Sequence, residues 1–259
     1  MFVSDRRRRT EMEESMTILE AMEKRHSVRS YLSKKIPEDI KEQLQNEIDN
    51  CNKQGGLHIQ LVTDEIKAFS GFMAHYGKFE NVQNYIALIG NKSDNLDELV
   101  GYYGEKLVLL AQTLGLNTCW VAMTFSKRAT KGKCVIKKGE KLVCVLALGY
   151  GTNQGITHKI KDIKDVCKDE TNMPDWYKRG IEAALLAPTA MNQQKFEFSR
   201  EDNVVSVKAT GGFYSKVDLG IVKYHFEVGA KKDNFTWKYK VYPMSRTIKL
   251  KGIFLMLKI

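Results

Sequence analysis

A pattern of helix, strand, long helix and tryptophan occurs twice in this chain, and it restricts the fold more than any other feature of the sequence. The first copy begins at Pro37 and reaches Trp120, and the second begins at Pro174 and reaches Trp237. Matched landmarks at this distance are typical of an internal duplication, although two amphipathic helices can also resemble each other by chance. The sequence therefore predicts an α+β chain built from two related halves.

Local patterns predict the elements within each copy. Apolar residues three or four apart indicate helices, and alternating apolar and polar residues indicate strands. In the first copy these patterns predict a helix from Pro37 to near Gly55, a strand over 57–62, a long helix over 99–114 that Gly115 ends, and a strand over 142–148. In the second they predict a helix from Pro174 that ends at Pro188, a strand at 196–198 and a long helix over 218–227.

The charge is concentrated at the ends of the chain. The 259 residues carry a net charge of +10, of which +6 lies in residues 238–259, while the four arginines of residues 1–15 are balanced by four acids. The central part therefore has little basic excess, and it contains no motif typical of nucleic-acid binding. We expect residues 1–15 to be a disordered extension, 16–170 the first half, 171–237 a shorter second half in the same compact unit, and 238–259 a basic tail.

Composition favours a cytoplasmic protein without a membrane partner. No apolar run approaches the ~20 residues of a membrane helix, and the N-terminus does not resemble a signal peptide. The five cysteines include no C-x-x-C pair, which favours reduced thiols. The five histidines lack the paired spacing of metal ligands, so no metal site is expected. Gly149, Gly151 and Gly155 do not have the spacing of a dinucleotide-binding loop.

Residues 24–31 combine two arginines, a histidine and a serine directly after a predicted helix. Thr17 and Glu20 have the spacing of a capping box and mark the start of that helix. Arg25, Ser27 and Arg29 alternate, so in an extended segment their side chains point the same way. Guanidinium groups and a hydroxyl that converge on one point suit a phosphate. The alternative interpretation is a solvated basic helix end.

Four segments resemble motifs of the nitroreductase / flavin reductase family. Arg25-His26-Ser27-Val28-Arg29 resembles its N-terminal FMN-phosphate motif, and Ala187-Pro188-Thr189-Ala190-Met191-Asn192-Gln193 resembles its A-P-S-x-x-N-x-Q segment. Residues 115–121 resemble its G-L-G-x-x-W loop, and residues 146–151 resemble its strand ending in G-Y-P. The resemblance spans most of residues 16–237. It implies a nitroreductase-like α+β fold, with a mixed, mainly antiparallel sheet flanked by helices.

The resemblance also implies a set of FMN-binding residues. Arg25 and Arg29 neutralise the phosphate, and His26 and Ser27 donate hydrogen bonds, with His158 or Lys159 completing the anion site. The remaining residues surround the ring: Pro188, Thr189, Ala190, Asn192 and Gln194 on one side, and Thr118, Cys119 and Trp120 on the other. Asn192 offers a donor and an acceptor to the pyrimidine edge, although a helix C-cap is its alternative role. Core packing is the alternative for Trp120, and Cys119 lacks the paired histidine of a nucleophile.

The chain departs from the family pattern in the order of its motifs. The A-P-S-x-x-N segment usually follows the first motif closely, but here it lies in the second half, proline is missing after Tyr150, and Gln194-Lys195 stands where Gln-Pro-Trp is usual. Ordinary members are homodimers with sites between the subunits. The departures therefore imply a single-chain variant in which the two halves take the places of two subunits. Such a chain would work either as a monomer or as a homodimer.

The implied activity is reduction of small electron-poor acceptors, such as nitroaromatics or quinones, by FMN with NADH or NADPH as donor. Because the cofactor makes and breaks the bonds, no catalytic side chain is expected, and the two half-reactions predict ping-pong kinetics. A flavin-binding protein without turnover and a basic nucleic-acid-binding protein are the alternative hypotheses. Yellow purified protein that releases FMN separates the flavin hypotheses from the third.

Overall fold

A computed structural model describes residues 16–168 and 172–238. The predictions for residues 1–15 and for the tail beyond Lys238 lie outside the described residues. No helix in the described ranges has the length and apolar character needed to cross a bilayer.

The main sheet has four antiparallel strands in the order β1-β2-β4-β3. The bounds are β1 Gln60–Val62, β2 Asn84–Asn91, β3 Asn117–Val121 and β4 Glu140–Gly149. The two central strands, β2 and β4, are buried along most of their length because apolar clusters cover both faces of the sheet. Sequence reasoning missed β2, since its continuous apolar run lacks the alternation that identifies a strand.

Eight helices accompany the strands in the described part of the chain. They are α1 Ile18–Lys24, α2 Glu38–Gly55, α3 Phe72–Tyr76, α4 Leu96–Thr113, α5 Lys127–Lys131, α6 Ile163–Val166, α7 Asp175–Leu185 and α8 Ser215–Ala230. The capping box of Thr17 and Glu20 is confirmed at the start of α1. The predicted starts after Pro37 and Pro174 are also confirmed.

The predicted strand over 57–62 is shorter than expected. Only β1 forms, and Leu57 makes an isolated bridge to Gly90. The missing part lies opposite an irregularity, since the register of β2 with β4 shifts between Leu88 and Ile89. The His58 N–H still donates to the Ile89 carbonyl at 2.8 Å, whereas Ile59 is held by the Asn52 side chain, which accepts from its N–H at 2.6 Å and donates to its carbonyl at 2.9 Å.

The second sheet is smaller and differs in topology. Strands β5 Phe196–Glu201 and β6 Val204–Ala209 form an antiparallel hairpin, and β7 Thr236–Trp237 pairs parallel to β6. The corresponding strand of the first half, β3, instead pairs antiparallel with β4. Internal duplication therefore stays a prediction. The largest apolar cluster nevertheless contains side chains from both predicted halves.

The long helices α4 and α8 cross at two glycines. A Cβ added to Gly101 would overlap the carbonyl oxygen of Val217, and one added to Gly220 would overlap the carbonyl oxygen of Glu98. The backbones therefore approach more closely than any side chain would permit. This crossing brings the start of α8 beside the segment that follows α1, and so it positions the site described next.

Candidate functional site

Two adjoining cavities form one cleft between the predicted halves. The larger has a volume of about 570 Å³ and the smaller about 150 Å³. Residues shared by both linings show that they adjoin: Ser27, Arg29, Pro188, Thr189 and Met191. The cleft is therefore built by the segment after α1, the loop after α7, the end of β3, the start of α8 and the segment after β4.

Most of the predicted site residues lie along this cleft. The larger cavity is lined by Arg25, His26, Ser27, Arg29, His158, Pro188, Thr189 and Asn192, and the smaller cavity adds Cys119, Trp120 and Ala190. The sequence places the first of these residues and the last more than 160 positions apart. The fold brings them together because α8 packs on α4 and α7 packs on α8.

Three predicted residues do not line the cleft. Thr118 is buried, and its carbonyl accepts a bond from the Val28 N–H at 3.0 Å, so it fixes the arginine segment to β3. Lys159 is exposed, and its contact with this region is made by its backbone carbonyl, which accepts hydrogen bonds from the Asn192 and Gln194 side chains. Gln194 is buried and its side chain bonds the chain around it. These three residues therefore support the walls and do not face the cleft.

Arg25 is a buried cation with an unused donor. Its side chain is 3% exposed, and its Nε lies 3.9 Å from Oε1 of Glu105, which is too far for a hydrogen bond. Among the described residues, no atom accepts a hydrogen bond from this Nε. A buried unsatisfied donor is unfavourable, and the Arg25 side chain also lines the larger cavity.

The larger cavity has an electropositive wall. Arg29, Lys78, His26 and His158 line it together with Arg25, and Glu80 is the carboxylate among its lining residues. Burial lowers the pKa of His26, and the charge of Arg25 acts in the same direction. A bound anion would oppose this effect, because a negative charge favours the imidazolium.

The loop after α7 has a strained backbone that side-chain bonds hold in place. Met191, Asn192 and Gln194 have φ values of 53°, 53° and 43°, which are unfavourable for residues other than glycine. Asn192 donates to the Lys159 carbonyl at 2.9 Å and accepts from Gln194 at 2.8 Å. Its amide keeps one further donor and one further acceptor site, so its predicted part in binding competes with a structural one.

Asp218, at the start of α8, anchors the same loop. Its Oδ1 accepts from the Ala190 N–H at 3.0 Å, and its Oδ2 accepts from Gln193 Nε2 at 2.6 Å. Burial raises the pKa of the Asp218 carboxyl to about 6, although both hydrogen bonds act in the opposite direction. The ionised carboxylate therefore holds the loop at a cost in folding free energy.

Asp218→Asn should change how stability depends on pH. The folded carboxyl binds its proton more tightly than the unfolded one, so its contribution to stability is largest below pH 4 and falls as pH rises to about 6. Two pKa units correspond to about 3 kcal/mol. Urea unfolding at several pH values between 4 and 7.5 should show that the free energy of unfolding of wild type declines by about that amount relative to the variant. Parallel profiles would contradict the assignment.

The smaller cavity has an apolar wall that includes two thiols, those of Cys119 and Cys144. Trp120, Val217 and Ile221 line it, and Cys119 lies beside Trp120. Burial raises the pKa of the Cys119 thiol, with the charges of Arg29 and Arg25 acting against this. A raised pKa disfavours the thiolate, which is the form that attacks as a nucleophile. Since Trp120 is half-buried and lines the cavity, core packing is only part of its role.

Sequence reasoning missed Glu105, which links the cleft to the core. This fully buried carboxylate accepts from Trp120 Nε1 at 2.9 Å through Oε2 and bonds His225 Nε2 at 2.9 Å through Oε1. It also lies beside Arg25. Glu105 could have been found from the sequence because it lies on the apolar face of α4, and an acid that is buried there needs partners. Asp218 gave a weaker signal, since acids are common in the first turn of any helix.

A family model described as "Putative TM nitroreductase" matches residues 17–230. Among solved structures, a putative nitroreductase from Thermotoga maritima is 23% identical, with a TM-score of 0.59, and the match covers 89% of this chain and 90% of that chain. This likeness shows the same fold over nearly the whole length of both chains. The predicted α+β nitroreductase-like fold is confirmed.

Two other solved structures have lower TM-scores. An FMN-dependent nitroreductase from Clostridium difficile R20291 is 17% identical, covers 60% of this chain and 96% of its own, and has a TM-score of 0.44. A structure described as a putative nitroreductase in complex with FMN, from Desulfovibrio desulfuricans, is 13% identical, covers 61% of this chain and 99% of its own, and has a TM-score of 0.49. No curated protein matches the sequence.

Proposed function

The chain belongs to the TM nitroreductase family, an oxidoreductase family, and from this premise we propose that it is an FMN-dependent oxidoreductase that takes electrons from NADH or NADPH. The acceptors would be small electron-poor molecules such as nitroaromatics or quinones. The observation that carries the proposal is the shared cleft, in which Arg25 and Asn192 line one cavity although more than 160 positions separate them in the sequence.

The residues of the cleft fit FMN in charge and in size. A volume of about 570 Å³ falls within the range of small-molecule sites. The unused Nε of buried Arg25 supports a phosphate at the electropositive wall, and the apolar smaller cavity next to it supports an aromatic ring. The solved relative from Desulfovibrio desulfuricans that contains FMN agrees with this proposal.

Each group of residues has a separate part in the proposed mechanism. Arg25 and Arg29 would bind the phosphate, with Ser27 and His26 donating to its oxygens. Trp120, Val217 and Ile221 would exclude water from the ring's surroundings. FMN, when bound, supplies the ring that accepts hydride from the donor and passes it to the acceptor. No side chain of the cleft is required as an acid or a base, as the sequence predicts.

Steady-state kinetics of the purified protein test this proposal. We expect yellow protein that releases FMN on denaturation and oxidises NADH or NADPH only when a nitroaromatic or a quinone is present. Plots of reciprocal rate against reciprocal donor concentration should be parallel at different acceptor concentrations, because both half-reactions use one cleft. Bound FMN without steady turnover would instead favour a flavin-binding protein, and colourless protein that binds nucleic acid would favour the third hypothesis.

The α4–α8 crossing supports a monomer as the working unit. It joins the two predicted halves, 16–170 and 171–237, through backbone contact within one chain. Light scattering on the FMN-loaded protein should therefore give a mass near 29.6 kDa. A mass twice as large would favour the homodimer.

A further inference from the structure

Next to the cleft lies one exposed face that the proposed activity does not use, and we name it the basic–apolar face. It consists of residues 66–76, which include α3, and residues 123–133, which include α5. The two segments are packed together, since the Ser126 N–H donates to the Ala68 carbonyl at 2.8 Å and the rings of Phe69 and Phe125 stack 6.3 Å apart. The face is therefore one surface and not two separate loops.

The cations of this face have no acidic partners. Lys127, Arg128, Lys131 and Lys133 are exposed, and residues 123–139 contain no acid. Among the described residues, none of these four side chains lies within 4 Å of a carboxylate. Residues 66–76 also contain no acid, and Glu65, directly before them, is buried and accepts from the N–H groups of Lys67 and Ala68. The cations are thus free to meet an anionic partner.

Large apolar side chains are exposed on the same face. Phe72 is 83% exposed and Tyr76 is 76% exposed, and three aliphatic or thioether side chains are also exposed: Ile66, Met73 and Met123. Exposed apolar groups next to positive charge are typical of surfaces that lie on a membrane, where the apolar groups enter the headgroup region and lysines attract anionic lipids. No such combination is needed for a small-molecule cleft.

We propose that the basic–apolar face binds the surface of an anionic lipid bilayer. Three of its four cations within 127–133 are lysines, whereas protein interfaces are depleted in lysine and enriched in arginine. Nucleic acid would use the cations and the two aromatic rings, but Ile66, Met73 and Met123 gain little from stacked bases and more from an apolar phase. Charge and apolarity together therefore favour a bilayer.

Flotation with vesicles tests the proposal on the full chain loaded with FMN. We expect binding to vesicles of 70% phosphatidylcholine and 30% phosphatidylglycerol and at least tenfold weaker binding to phosphatidylcholine alone. K127Q/K131Q/K133Q should bind the anionic vesicles about 100-fold more weakly, because each lysine near such a surface contributes roughly a factor of five. The matched control K53Q/K164Q/K178Q removes the same charge from exposed sites elsewhere and should bind like wild type.

A separate measurement tests whether the exposed apolar side chains enter the bilayer. Phe72→Trp should be quenched by brominated lipid beyond the quenching of wild type, because Phe72 would enter the headgroup region. Failure to bind anionic vesicles at low salt would overturn the proposal. So would equal losses in both triple variants, because binding would then come from net charge or from the basic tail. Tighter binding to a 30-nucleotide single strand, with loss of vesicle binding in competition, would identify a nucleic-acid surface instead.

Discussion

Arg25→Ala combined with Arg29→Ala should leave a folded protein that no longer retains FMN. Both side chains line the larger cavity, and the buried Nε of Arg25 lacks an acceptor in the described residues. Hydrogen bonds to charged groups contribute about 1.5–3 kcal/mol each, so losing both guanidinium groups should weaken binding by roughly 10² to 10⁴-fold. Fluorescence titration with FMN measures the loss, and circular dichroism measures folding.

Two further variants make this result interpretable. Arg29 is exposed, so Arg29→Ala alone should weaken FMN binding about 10- to 100-fold without changing the free energy of unfolding. Lys164→Ala with Lys178→Ala removes the same charge from exposed positions and should leave FMN binding unchanged. Unaltered FMN stoichiometry in the double arginine variant would show that the phosphate lies elsewhere.

Gly101→Ala and Gly220→Ala should each destabilise the protein by about 3 kcal/mol or more. Alanine normally favours a helix over glycine by about 1 kcal/mol. Here the added methyl would overlap a carbonyl oxygen of the facing helix, and overpacking against backbone costs more than the gain in helix propensity. Because the crossing positions the start of α8 beside the cleft, FMN retention should fall as well.

Denaturant unfolding of both variants and of Gly132→Ala provides the comparison. The atom nearest to a Cβ at Gly132 would be the Ala129 carbonyl oxygen at 3.3 Å, and this variant should change stability by less than about 1 kcal/mol. If Gly220→Ala is as stable as Gly132→Ala, the close approach of α4 and α8 is wrong.

Helix boundaries could be predicted from the sequence because their causes are local. The capping box of Thr17 and Glu20 and the prolines at 37 and 174 act on adjacent backbone groups, and these predictions are confirmed. The missing part of the strand over 57–62 lies opposite the register shift between Leu88 and Ile89, where the Asn52 side chain of the preceding helix holds Ile59. Such a bond between elements leaves no periodic trace in the sequence.

The candidate site was predictable in its motifs but not in its support. Arg25, Asn192 and Trp120 lie in segments that resemble family motifs, and the structure places all three along the cleft. Glu105 and Asp218 belong to no motif, and their parts depend on distances between helices. The amide of Asn192, expected to face the ring, is largely engaged by Lys159 and Gln194, since the strained loop needs these bonds.

The origin of the cleft walls has a consequence for how the holoprotein is made. The arginine segment leaves the ribosome early, but the opposing walls come from residues 188–192 and 214–221. A nascent chain that ends before residue 188 therefore lacks the groups that face those arginines across the larger cavity, and one that ends before α8 still lacks a wall of the smaller cavity. The cleft is complete only after residue 221 has been added, and products truncated before residue 188 should emerge colourless.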